Sequence, residues 1–251
     1  MDEQIALLLA LLLAHFIADF YLQPMHWVHN RNTYHYKSSK LALHVLVHGV
    51  LSATVLIAWE HIYGLGEWPG VLLATLSIML SHWLIDVGKS YTRGGIIPFV
   101  VDQLAHIMVI ISLCLWLSDA DTLTQWASQG LSRQSLWVTL LAYALVLNPC
   151  SVAIRMLLER WQLPCSHNEQ QLPQAGHSIG VLERVLMLTF VLIDELAGVG
   201  FVLAAKSVFR FGDLTNSKEK HLTEYVMLGT LLSVTLTLAI GLATRALLNT
   251  L

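Results

Sequence analysis

Apolar residues in this chain run continuously rather than alternating. Long unbroken stretches extend from about Gln4 to Gln23, Leu41 to His61, Pro69 to Val87, Pro98 to Leu117, Gln134 to Leu158 and Thr223 to Leu247. Each is near the roughly 20 residues that an α-helix needs to cross a bilayer. An outward-facing barrel strand would be shorter and would alternate apolar with polar positions, so the runs predict helices. Pro24 ends the first helix, because proline cannot continue one, and Pro24 to Lys40 reads as a polar loop. Asn148-Pro149 marks a kink in the fifth helix.

One stretch departs from this simplicity. Ser178 to Arg210 is too long for one span of ~20 residues, and Asp194, Glu195, Gly198 and Gly200 interrupt its middle. It reads as a hairpin of two short or re-entrant helices. The expected fold is all-α, a polytopic bundle of about seven or eight transmembrane or re-entrant helices. It divides into a four-helix domain over 1–118 and a C-terminal domain over 134–251 that contains the hairpin 178–210 and the final helix. The linker Glu159 to His177, rich in Gln, Pro and Ser, separates the halves.

Charge refines the picture. Only 12% of residues are charged and 55% are hydrophobic, against roughly 25% charged in a soluble domain. The formal net charge of −3 points away from a nucleic-acid partner. Basic loops follow helices one, three and five, and poorly basic links follow two and four. The positive-inside rule then puts the N-terminus outside and the basic loops in the cytoplasm. The acidic start Met1-Asp2-Glu3 lacks a basic n-region, so the first run reads as a retained helix. Cys114, Cys150 and Cys165 show no CxxC spacing and predict neither a disulfide framework nor a thiolate zinc site.

The candidate chemistry lies in four pairs spaced i,i+4: His15/Asp19, His44/His48, His82/Asp86 and Asp102/His106. That spacing puts both members of a pair on one helix face. The pairs fall late in helix one, early in two, late in three and early in four. With alternating helix direction, all four lie at one depth near the cytoplasmic surface. Each ionisable residue in a membrane helix costs about 2.5 to 3.5 kcal/mol on insertion scales, so eight of them must meet one another, water or a cation. Imidazole with carboxylate suits zinc, and manganese or iron as alternatives, held as one ion or two. Asp19, Asp86 and Asp102 are the candidates for a general base.

In the second half, Glu183, Arg184, Lys206 and Arg210 stand on or beside apolar segments. They read either as structural pairs and anchors or as an anion site for a phosphate or headgroup. Gly198, Gly200, Gly229 and Ser233 fit close helix packing.

The pattern His15-x-x-x-Asp19 with Gln23, followed by His44/His48, His82/Asp86 and Asp102/His106, resembles an uncharacterised bacterial inner-membrane family of unknown function. The resemblance covers about residues 1–118; Ile179-Gly180, Glu183-Arg184 and Gly200-Phe201 look like the C-terminal half of longer members. More distantly, the His/Asp helices are similar to membrane-bound metal-dependent hydrolases. The resemblance implies a place in the bacterial cytoplasmic membrane.

The leading functional expectation is a metal-dependent hydrolase acting at the cytosolic interface on a lipid-borne, amphipathic or phosphate-bearing substrate. An ion- or proton-coupled transporter using the same residues is the main alternative. A membrane oxygenase is disfavoured because only His44-x-x-x-His48 matches such boxes and no H-x-x-H-H occurs. A non-catalytic protein with a closed structural metal is the remaining reading.

Overall fold

The computed structural model describes residues 2–63, 68–117, 135–161, 173–210 and 217–249. The expected links at 64–67 and 118–133, and most of the linker Glu159 to His177, lie outside the described residues. All regular structure among the described residues is helical. In chain order the helices are α1 (Asp2–Phe20), α2 (Met25–Tyr34), α3 (Ser39–Tyr63), α4 (Trp68–Ser90), α5 (Ile96–Trp116), α6 (Ser135–Leu158), α7 (Pro173–Leu192), α8 (Leu196–Arg210) and α9 (Ser217–Asn249).

Among the described residues, five segments are long and apolar enough to cross a membrane: Ser39–Ile62, Trp68–Ser90, Ile96–Trp116, Ser135–Leu158 and Glu224–Asn249. A sixth would be Gln4–Phe20 with Met25–Lys37, which meet at 83°. The protein is a polytopic helical membrane bundle. Its outward side chains agree with that. Leu46 and Val50 on α3, Leu76, Leu80 and Leu84 on α4, and Val101, Leu104 and Met108 on α5 are all exposed. These are apolar faces at helical spacing, directed away from the polar interior.

The polar segment after Pro24 is the main correction to the expected elements. It is not a loop but α2 followed by a 3-10 turn at His35–Lys37. Pro24, at φ −67° and ψ 149°, turns the chain into α2. Its missing N–H costs nothing at a helix start. The segment is too polar for a hydrophobicity pattern to mark it, and tertiary contacts hold it. His35 closes α2 at φ 50°, its Nδ1 lies 2.9 Å from Ser90 Oγ, and its ring stacks on Tyr91 at 4.1 Å. Ser38 then caps α3, accepting from Leu41 N–H at 3.0 Å and donating to Asn30 Oδ1 at 2.7 Å. That cap starts α3 two residues before the apolar run itself does.

The chain forms two compact units, one up to Leu141 and the other Ala142–Asn249. In the first, α1 packs on α3 and α5, α4 packs on α3 and α5, and α2 lies against α3 and α4. One end of this four-helix ring is mostly apolar: Leu7 and Leu11 of α1, Leu56 and Trp59 of α3, Ala74 and Ile78 of α4, and Ile110 and Leu113 of α5 form one core, with a buried oxygen of Gln4 on α1 and of Glu60 on α3 near that end. The histidines and aspartates occupy the other end. Alternating helix direction produces this separation, because the polar residues come late in α1 and α4 and early in α3 and α5.

In the second unit, α9 packs on α7 and α7 on α8. A turn at Ile193–Glu195 separates α7 from α8, with Asp194 at φ 66°. Aspartate tolerates this left-handed conformation better than most residues. The Asp194 carboxylate takes both terminal nitrogens of Arg245, each at 2.5 Å. Gly241 lets α9 approach closely, since a Cβ there would meet Val191 Cγ1 at 2.9 Å and Val191 Cβ at 3.2 Å.

Candidate metal centre

All eight residues of the four i,i+4 pairs come together. His15, His44, His48, His82, Asp86, Asp102 and His106 are each at most 4% exposed. Asp19 is the hub, with 10% of its side chain exposed. Its Oδ1 lies 2.9 Å from His48 Nε2, 3.2 Å from His44 Nε2 and 3.8 Å from His82 Nε2. Its Oδ2 accepts from Gln103 Nε2 at 2.9 Å and lies 3.7 Å from His15 Nε2. His44 Nε2 and His82 Nε2 approach to 3.1 Å, and the His48 and His82 rings stack with centroids 3.6 Å apart.

Three imidazole nitrogens thus converge on one carboxylate oxygen. A neutral imidazole has one donor nitrogen and one acceptor nitrogen. Where His44 Nε2 and His82 Nε2 face each other at 3.1 Å, only one of the two can hold the proton of a hydrogen bond. A cation held there would take a lone pair from both.

The carboxylate end is organised differently. Arg31 on α2 donates Nη1 to Asp86 Oδ1 at 2.7 Å, with both side chains buried. Lys89, three residues beyond Asp86, donates to Asp102 Oδ2 at 2.5 Å. Gln103 Nε2 also reaches Asp102 Oδ2, at 3.2 Å, and its Oε1 lies 3.4 Å from His15 Nε2. His106 Nδ1 donates to the Asp102 carbonyl at 2.8 Å. The other atom in each case is left over: among the described residues Asp86 Oδ2, Asp102 Oδ1, His106 Nε2 and His44 Nδ1 are buried with no hydrogen-bond partner. Buried polar groups are nearly always satisfied, so four such atoms in one place call for a ligand.

Among the described residues, three groups bring one ligand atom per residue within 4.8 Å of one another: His15/Asp19/His48/His82, His44/His82/Asp86 and Asp86/Asp102/His106. These residues fit a metal ion by donor chemistry, by spacing and by their unpartnered atoms. Borderline imidazole with carboxylate is the donor set of zinc, iron and manganese.

Three neighbours of the centre were not among the residues expected from the sequence. Lys89 carried a readable signal, because His82, Asp86 and Lys89 follow the i, i+4, i+7 stripe. It belongs to the last turn of α4, not to the following loop. Gln103 stands next to Asp102 but is uncharged, which hid it. Arg31 had no local signal, since its segment read as a loop. Gln23, part of the recognised pattern, lies between α1 and α2.

The second-half cations do not assemble into one anion site among the described side chains. Lys206 Nζ pairs with Glu183 Oε2 at 2.6 Å. Arg184, 4% exposed, turns instead onto α6. Its Nε donates to the Val146 carbonyl at 2.5 Å, and its Nη2 to the Leu147 carbonyl at 3.1 Å and to Ser151 Oγ. Its Nη1 reaches Ser233 Oγ at 3.5 Å. Pro149 lies inside α6, has no N–H and loosens the helical bonding around it, and Arg184 supplies donors to the carbonyls just before it. The Arg210 side chain lies outside the described residues. Arg184→Met is therefore expected to destabilise by about 2–4 kcal/mol through stranded buried acceptors. Thermal unfolding in detergent checks this. An unchanged midpoint would mean water satisfies those carbonyls.

The fold and this cluster define a class: a polytopic helical membrane protein with a buried histidine–aspartate centre in its first four-helix ring. The particular family is also shown. The chain belongs to the family described as Protein of unknown function (DUF3307), whose match covers residues 7–133 and so every residue of the centre. No curated protein and no solved structure matches the chain, and no likeness to a hydrolase accompanies the family match.

Proposed function

We propose that this protein is a metal-dependent hydrolase of the bacterial cytoplasmic membrane, holding a divalent ion, zinc first and manganese or iron next, in the His/Asp centre. The observation that carries the reading is the set of buried ligand atoms at one end of the bundle, four of them without partners. A bound divalent ion supplies Lewis acidity and lowers the pKa of water toward neutrality. The chain's own groups hold the imidazoles in place and set the charge. Asp19 has both oxygens engaged, whereas Asp86 and Asp102 each keep one oxygen free for a metal or a proton.

The opposite end of the ring supports this choice over a transporter. It is filled mainly by Leu7, Leu11, Leu56, Ile78, Ile110 and Leu113, with Cys114 inside that core and Glu60 next to its Trp59, far fewer ionisable groups than the eight at the other end. A coupled ion pathway needs polar groups from both faces. Lys89, partly exposed beside Asp102, borders the centre and favours a substrate bearing phosphate, while Arg31 is buried and committed to Asp86. The helix-end position favours a lipid-borne or amphipathic one. By the positive-inside rule that end faces the cytosol, with the N-terminus outside.

Elemental analysis of detergent-purified protein tests the reading, beside a His44→Ala/His48→Ala variant. Near-stoichiometric zinc, manganese or iron in the wild type, lost in the variant, is the expected outcome. Hydrolysis of a phosphate-bearing lipid analogue by the loaded wild type alone would then follow. Absence of metal from both samples after loading defeats the proposal.

A further inference from the structure

We infer that the centre has two metal positions of different kind, an inner four-ligand one (His15, Asp19, His48, His82) and an outer three-ligand one (Asp86, Asp102, His106). The inference rests on the metal reading above and specifies its geometry. Two of the three ligand groups share no residue: the four and the three just named are disjoint, and within each the ligand atoms lie within 4.8 Å. His44 stands between them, in a group with His82 and Asp86. Eight ligands are too many for one zinc or manganese ion, which take four to six.

The two positions differ in what surrounds them. In the outer one each residue is gripped by one atom and free by another. Asp86 gives Oδ1 to Arg31 and leaves Oδ2 free; Asp102 gives Oδ2 to Lys89 and leaves Oδ1 free; His106 gives Nδ1 to a carbonyl and leaves Nε2 free. The three free atoms belong to the three residues of one candidate group. This is how supporting hydrogen bonds orient metal ligands, fixing the tautomer and leaving the ligating atom bare. The inner position lacks this arrangement; its imidazoles lean on Asp19 and on one another.

Ligand number then separates their tasks. Four protein ligands close a zinc coordination sphere, which marks a structural ion. Three protein ligands leave a coordination place for water or substrate, which marks a catalytic one. Two carboxylates and one imidazole also make the outer position the harder of the two, better suited to manganese, iron or zinc than to a thiophilic ion. The outer ion is the exchangeable one, and the substrate's phosphate would meet it beside Lys89, the partly exposed cation of the pair.

Equilibrium dialysis against zinc and against manganese, with metal quantified per chain, tests this. The wild type should take up two equivalents. Asp102→Asn and His106→Gln, which keep side-chain volume, should each keep one equivalent and lose the other. His15→Gln/His48→Gln should lose the tighter equivalent. Manganese-loaded wild type should show a spin-resonance signal coupled between two neighbouring ions, and His106→Gln should show an isolated-ion signal. Saturation of the wild type at one equivalent, unchanged by Asp102→Asn and His106→Gln, overturns the two-position inference and leaves the metal reading standing. No binding in the wild type overturns both.

Discussion

Arg31→Ala is expected to destabilise the metal-free protein by about 3–5 kcal/mol, the cost of stranding one partner of a buried ion pair. Arg31 and Asp86 are 4% and 3% exposed and meet at 2.7 Å. Removing the guanidinium leaves a carboxylate inside the bundle with His44 Nε2 at 3.9 Å and His82 Nε2 at 3.7 Å as its nearest remaining donors. The pair also fastens α2 to α4, so its loss should free the helix that packs over the polar end. Two controls separate charge from packing. Arg31→Ala with Asp86→Ala should recover much of the loss, because no buried charge is then unpaired. Metal loading should recover part of it in the single variant, since a cation would replace the missing one. Denaturation in mixed micelles measures all three. A change below about 1 kcal/mol in the single variant would mean that the pair behaves as a solvated surface bridge.

Asp19→Asn should reduce metal affinity at least about 100-fold, the upper end of what losing a supporting residue costs, because Asp19 is placed as a ligand itself. Asparagine keeps the shape but replaces one acceptor oxygen by an NH2 group. That group would face either Gln103 Nε2 or the Nε2 atoms of His44 and His48, which now lie 2.9 to 3.2 Å from Asp19. The first orientation sets donor against donor, the second turns an NH2 toward the imidazole nitrogens that would hold the ion, and both remove the negative charge that offsets it. Isothermal titration with zinc in detergent gives the ratio. Unchanged affinity would remove Asp19 from the coordination sphere and reassign the inner position.

Much of this protein was readable before folding was considered. The unbroken apolar runs mark α1, α3, α4, α5, α6 and the last helix to within a few residues, apart from an earlier start to α9 at Ser217. In a membrane every backbone group must be satisfied within its own helix, which makes such runs unusually informative. The i,i+4 pairs were legible for a related reason. Ionisable groups are rare in such helices, so the eight stand out, and helix geometry alone puts each pair on one face.

Other parts were not readable, and each failure has a cause. Helix α2 is polar and short, and helices of that kind depend on tertiary packing more than on their own propensity. Arg184 looked like a cation for anions, but a guanidinium buried beside a proline within a helix finds backbone carbonyls first. Lys206 likewise meets Glu183 from the neighbouring helix. Charge in the sequence shows that a partner is needed without showing which one.

The sequence by itself determined a helical membrane bundle and the eight residues that had to meet, because lipid penalises every other arrangement of those runs and those charges. Only the tertiary structure decided how they meet. Arg31 and Asp86 are 55 positions apart, and Gln103 and Asp19 are 84 apart. No periodicity within one helix encodes contacts of that range. Which oxygen of Asp86 or Asp102 is held and which is left bare depends on the packing of α2, α4 and α5 against one another, and that asymmetry separates the two ligand positions.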